Sequence, residues 1–185
     1  MNKLLLPLLI ILSLPLVFQS TPTEIVKLKT FDALVKQQEP SGNFTILNIT
    51  EENVAAEGGW PIPRKRLGEI NLDILEAGAL GVGWVISFPQ PDRMGGDEYF
   101  ASSLELGPTI LATFESPNGI YPKTTGTIIK GDDIGGILTQ GVVENISILQ
   151  DKSLEGIATA PVDIDNLVRR IPLLLRTPDG WVSAF

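Results

Sequence analysis

Residues 44–88 read FTILNITEENVAAEGGWPIPRKRLGEINLDILEAGALGVGWVISF, and their reading decides the fold. Residues 44–49 alternate in part and are rich in β-formers, so they read as a strand. Residues 51–56 read as a short helical turn stopped by Gly58-Gly59. Trp60-Pro61-Ile62-Pro63 is an extended entry, with Pro63 well placed at or near the first turn of a helix. That helix runs to about Ala77, burying Leu67, Ile70, Ile74 and Ala77 on one face, and Gly78 is a natural stop. Residues 80–88 are nearly all apolar, the mark of a central strand covered on both faces. Strand, helix and buried strand in succession predict a right-handed βαβ unit with a parallel pair.

Outward from this unit the pattern repeats more weakly. A short helix is expected over 97–106 and a strand over 109–114. A Gly/Pro/Thr-rich excursion over 116–136 follows, with one strand at 127–130. Strands are read at 141–148, 157–162 and 167–175. Asp165-Asn166 supplies a tight turn between the last two, and Pro178-Asp179-Gly180 another after them. On the N-terminal side, 30–38 has helical spacing that ends before Pro40-Ser41-Gly42. Residues 4–18 are an apolar run preceded by Lys3. As a helix it would be about 22 Å long, short of a hydrocarbon core of about 30 Å. That length suits a signal-peptide core as well as a short anchor, and residues 17–20 offer no A-x-A-like cleavage site. The expected fold is therefore α/β. It is a single sandwich domain with a mixed, partly parallel sheet and flanking helices over 21–185, preceded by an N-terminal hydrophobic helix within 1–20. The text stops mid-element, which reads as a C-terminal truncation.

Composition narrows the chemistry. The 185 residues include no cysteine and no histidine, and the formal net charge is −8. Disulfides, Ser-His-Asp and Cys-His catalysis, the H-E-x-x-H zinc motif and a histidine switch are all excluded. The acidic balance disfavours nucleic acid, since Arg64-Lys65-Arg66 and Arg169-Arg170 are too few to offset it. The doublets Glu51-Glu52, Asp97-Glu98 and Asp132-Asp133 read as solvated faces rather than glycosidase pairs. Asp163-x-Asp165-Asn166 lacks the glycine and glutamate of a calcium loop. No catalytic residue, metal or cofactor is therefore expected. Arg169 and Arg170 fall on opposite faces of their strand. One should point outward and the other toward a buried carboxylate, with Asp163 or Asp165 as the natural partner.

Gly58-Gly59-Trp60-Pro61-Ile62-Pro63-Arg64 resembles the G-x-W-P-W-P-R signature of the second class of CHASE-type sensing domains, with Ile62 for the second Trp. Glu76-Ala77-Gly78-Ala79 is similar to that family's helix end, and residues 82–89 to its "vigfDilFsep" strand. Asp97-Glu98-Tyr99-Phe100-Ala101 matches its D-x-x-[LF]-A helix. Gly141-Val-Val-Glu-Asn and Asp163-Ile-Asp165-Asn166-Leu-Val-Arg169-Arg170-Ile-Pro172 resemble "GfvN…D.DGvvRrvPLl", and Phe31-Asp32 stands where "lDlrfr" does. Two family acids are replaced, by Thr50 and by Val85. Gly59, Trp60, Pro61, Pro63, Arg64, Gly78, Asp163, Asp165, Arg169, Arg170 and Pro172 are then the structural signature.

The resemblance implies a non-enzymatic, extracytoplasmic ligand-sensing input domain of a bacterial transmembrane signalling protein; a freestanding periplasmic solute-binding or scaffold protein is the alternative. The location implied is the cell inner membrane with the domain in the periplasm. The partners implied are an unidentified small-molecule ligand, the inner membrane through the N-terminal helix, and a second copy of the chain. In open α/β sheets ligands dock at the C-terminal ends of strands. That rule, together with the glycines and the helix start, directs the expected ligand contact to Thr50, Trp60 and Arg64.

Overall fold

The computed structural model describes residue 13 and residues 21–36, 39–122 and 136–185. They fall into two compact units, Met1–Leu47 with Pro161–Arg170, and Asn48–Ala160 with Ile171–Phe185. The apolar run 4–18, apart from Ser13, and the expected strand 127–130 lie outside the described residues. Among the described residues no helix is long and apolar enough to cross a membrane.

In the smaller unit, α1 spans Thr21–Leu34. It starts nine residues earlier than the periodicity at 30–38 suggests, because Glu24 and Lys27 extend it through an exposed ion pair one turn apart. Its one buried apolar residue is Leu28. In the same unit Asn166, at φ 61°, makes the left-handed turn expected of Asp165-Asn166. The amides of Asn166 and Asp163 donate to the carbonyls of Asp163 and Leu167, closing that turn. Residues 167–173 do not continue as a strand.

The larger unit is mixed α/β. Its helices are α2 (Glu51–Ala56), α3 (Arg64–Glu76), α4 (Asp97–Leu104) and α5 (Ser147–Gln150). Its strands are β1 (Val82–Trp84), β2 (Thr109–Ile120), β3 (Val142–Val143), β4 (Leu154–Ile157), β5 (Leu174–Thr177) and β6 (Gly180–Ser183). β2 is the centre of the first sheet: β1 and β4 run parallel to it, and β3 pairs antiparallel with its second half. The partly parallel sheet expected from sequence is thus present. β5 and β6 form the hairpin around Pro178-Asp179-Gly180, and the chain then makes a parallel bridge from Ala184 to Ile157.

The parallel crossover is β1–α4–β2, not the unit read from residues 44–88. Residues 44–49 form no strand, and Phe44 is 90 % exposed. β-Propensity records fit to a neighbouring strand, and without a ladder it holds nothing. Nor is 80–88 a central strand covered on both faces. Only Val82–Trp84 is strand, and among the described residues it pairs with β2 alone. Trp84 and Phe88 are buried while Val85 is 63 % exposed, so the segment alternates despite its apolar composition. Val85→Asp, which restores the acid of the resembling sequences, should therefore change stability by less than about 0.5 kcal/mol. A chemical-denaturation midpoint shifted well beyond that would show a covered position.

The helices pack on one sheet face. Trp84, Phe88, Phe100, Leu104, Leu111 and Leu149 form a continuous buried cluster with Ile62 and Leu67. Phe100 sets its ring edge-on to both Trp84 and Phe88, at centroid distances of 5.6 and 5.3 Å. α3 reaches this layer through Gly68, where a Cβ would stand 2.7 Å from the Tyr99 ring and 3.2 Å from the Phe100 Cα. The face of α3 differs from the expected one: Leu67 is buried, Ile70 and Ile74 only partly, and Ala77 is exposed. Its most buried residue is polar. Asn71 donates to the Ser103 carbonyl at 3.0 Å and accepts from the Trp84 indole at 3.0 Å. Gly78 ends the helix with φ 96°, as expected.

Candidate functional site

The signature segment is built around the start of α3. Thr50 does not end a strand; it caps α2. Its hydroxyl accepts from the Asn53 amide while Asn53 Oδ1 accepts from the Thr50 amide, a reciprocal capping box. The Gly58 and Gly59 amides close the far end of α2 on the carbonyls of Ala55 and Val54, with φ of 87° and 111° that glycine alone takes easily. The six residues of α2 put about 9 Å of helix between Thr50 and that turn. Thr50 is therefore a helix cap at the end of α2 away from that turn, not the end of a strand.

Trp60 is 60 % exposed, whereas Ile62 is buried in the main cluster. The lid on the core is Ile62, not the tryptophan. The peptide bond between Trp60 and Pro61 is cis. Arg64, with a side chain 12 % exposed, lies 4.3 Å over the Phe88 ring. Its Nη1 donates to Asp97 at 3.1 Å and its Nη2 to the Gln90 carbonyl at 3.0 Å. Glu69, an acid on the same helix, pairs one turn away with Arg66 rather than with Arg64, and Glu57 joins that pair. Those two hydrogen bonds raise the Arg66 pKa.

The first amide of α3 is already served by a carboxylate of the chain. Asp92 Oδ2 accepts from the Arg64 amide at 2.9 Å and from the Gly96 amide at 3.2 Å, and Oδ1 accepts from Met94. Burial opposes ionisation of Asp92, but these three amides and the charge of Arg64 outweigh it and hold the carboxyl below its usual range. Burial likewise lowers the Arg64 pKa, against the opposing charges of Asp97 and Asp92. The anion at this helix N-terminus is the protein's own. Composition gave no hint of Asp92, although an Asp that accepts from the amide two residues on, close to Gly95-Gly96, is an Asx-turn pattern.

Of the remaining signature residues, Arg169 and Arg170 divide as expected. The Arg169 side chain is 7 % exposed and that of Arg170 76 %. Arg169 places all five N–H donors: Nε and Nη2 on Asp32, Nη1 and Nη2 on Asp165, and Nη1 on Asp163. Asp163 and Asp165 were foreseeable; Asp32 enters from α1, 137 positions away. The hydrogen bond from Arg169 lowers the pKa of Asp32 and takes Asp165 down to about 2. The bonds to Asp32 and Asp165 in turn hold Arg169 above its ordinary value. Pro172 follows in the exposed link to β5.

An open groove of about 500 Å³ lies elsewhere, between Leu104–Thr109 and Asp151–Leu154. It faces the N-terminal ends of β2 and β4, the rim opposite Arg64 and Phe88. An ion pair between Lys152 and Glu105 crosses it.

The Trp-Pro-x-Pro-Arg turn and the strands and helices that follow it lie within a stretch matched by the family model of an extracytoplasmic sensing class of domain. The chain belongs to the CHASE2 domain family, whose model matches residues 7–185. Curated proteins and solved structures yield no match.

Proposed function

We propose that residues 21–185 are the non-catalytic input domain of a bacterial transmembrane signalling protein, tethered outside the cytoplasmic membrane by the apolar run at 4–18. The ligand surface of this reading is the exposed ring of Trp60. A tryptophan 60 % exposed, held by two glycines before it and a proline on each side of Ile62 after it, costs little entropy to present as a flat platform. Because Arg64 is spent on Asp97 and Gln90, the ligand favoured is neutral and flat rather than an anion. A second copy of the chain completes the assembly in this reading.

A thermal-shift screen of the full chain against neutral aromatic metabolites tests it. A binder at a hundredfold excess over its Kd should stabilise the fold by about 2.7 kcal/mol. Trp60→Ala should abolish that shift while altering the unliganded stability by less than about 0.5 kcal/mol. A shift that survives Trp60→Ala would place the ligand elsewhere. For the tether, a reporter fused after Phe185 should be active only outside the cytoplasm and stay with the membrane fraction.

A further inference from the structure

We propose that Arg169 is a releasable latch that fastens α1 to the turn at residues 163–169, so that α1 is set free as a unit when the latch opens. The inference goes beyond the sensing assignment and needs no ligand.

Among its described residues the smaller unit has little apolar packing. Val162, Ile164, Leu167 and Val168 are all exposed, and neither apolar cluster draws a member from Pro161–Arg170. In α1, Leu28 is the one buried apolar residue. Hydrophobic burial therefore contributes little to joining the turn to the helix, and the guanidinium carries the junction.

Its geometry suits that task. Asp32 sits in the last turn of α1, where the helix dipole disfavours a negative charge and that turn holds no basic residue. The countercharge comes from Arg169, whose Nε and Nη2 reach the two Asp32 oxygens at 2.7 and 2.8 Å. Asp165 receives the second fork, at 2.8 and 2.7 Å, and Asp163 the fifth donor at 3.1 Å. Asp163 and Asp165 belong to the turn itself, so two of the three contacts persist when Asp32 leaves. The latch has a fixed half and a detachable half. Detaching Asp32 strips two donors but leaves the arginine paired, which makes opening a small, local event rather than the exposure of a naked buried charge.

Since the chain has no cysteine, Lys29→Cys with Ile164→Cys gives two unique, exposed attachment points for spin labels on the full chain. Pulsed dipolar distances should give one narrow distribution. Asp32→Asn and Arg169→Lys, which removes both forks while keeping the charge, should each broaden it. Raising salt to about 1 M should broaden the parent's distribution but not further broaden that of Asp32→Asn. Tryptophan fluorescence melting should be unchanged, because Trp60, Trp84 and Trp181 all lie in the larger unit. A distribution that stays narrow in Asp32→Asn overturns the latch. So does a large drop in the tryptophan melting temperature, which would make Arg169 a structural tie of the whole chain. Neither result bears on the ligand screen.

Discussion

Phe100→Ala should cost about 3–5 kcal/mol, the largest loss expected from any single truncation in the larger unit. For a chain of this size that lowers the melting temperature by roughly 6–20 °C. The ring is fully buried and its edge contacts with Trp84 and Phe88 join α4 to both ends of the segment that carries β1. Its Cα also closes on Gly68, so α3 cannot slide in to fill the void without the Tyr99 ring giving way first. Phe100→Leu should recover more than half of the loss, as it keeps most of the volume. Calorimetric melting of both variants is the check, and a loss under about 1 kcal/mol for alanine would mean the helix layer collapses onto the cavity.

Arg64→Ala should cost about 3 kcal/mol at neutral pH, because it strands Asp97 and Asp92 in a partly dry environment. Arg64→Lys should restore only part, since an ammonium does not reproduce the fork that spans Asp97 and the Gln90 carbonyl. The pH dependence has a definite sign. Asp92 is depressed in the folded state, so its contribution is complete above the unfolded carboxylate value of about 3.9 and fades as pH falls through the lower folded value. The penalty of Arg64→Ala should therefore shrink between about pH 4 and more acidic solution, where Asp92 takes up a proton and no longer needs a countercharge. Melting curves at pH 7 and pH 3 decide; a penalty equal at both would assign it to lost packing on Phe88 rather than to charge.

The helices were legible wherever punctuation and periodicity agreed. Pro63 opens α3 and Gly78 closes it, and the Pro-Asp-Gly turn makes its hairpin, because those residues restrict the backbone whatever surrounds them. Strands were less legible, for the opposite reason. A strand exists only through a partner, and no local feature says that β2 rather than 80–88 collects the neighbours. The chemistry of the signature segment divides in the same way. That one of Arg169 and Arg170 is buried against Asp163 and Asp165 was readable from their place across the turn, although the strand alternation behind that expectation is absent. That Asp32 completes the set, and that Asp92 serves the start of α3, are contacts across 137 and 28 positions that spacing does not encode. Apolar content misled once more at α3. Asn71 is buried there beside Leu67 and Gly68, because the Trp84 indole and the Ser103 carbonyl give its amide both partners.

Phe185 carries a consequence of a mechanical kind. Its amide donates to the Ile157 carbonyl, its backbone lies against Gly156 and its ring against Gly83, where neither glycine puts a side chain in the way. Gly83 lies on β1 and Gly156 on β4, so the one residue, ring and backbone together, reaches both strands that flank β2. Tension applied along residues 182–185 is thereby delivered to β4 through the parallel bridge from Ala184 to Ile157, and from β4 to β2 in shear along their four-pair parallel ladder. Bonds loaded in shear share the force and yield together. The sheet would thus resist a steady pull and then give way in one step, where a peeled edge would yield gradually.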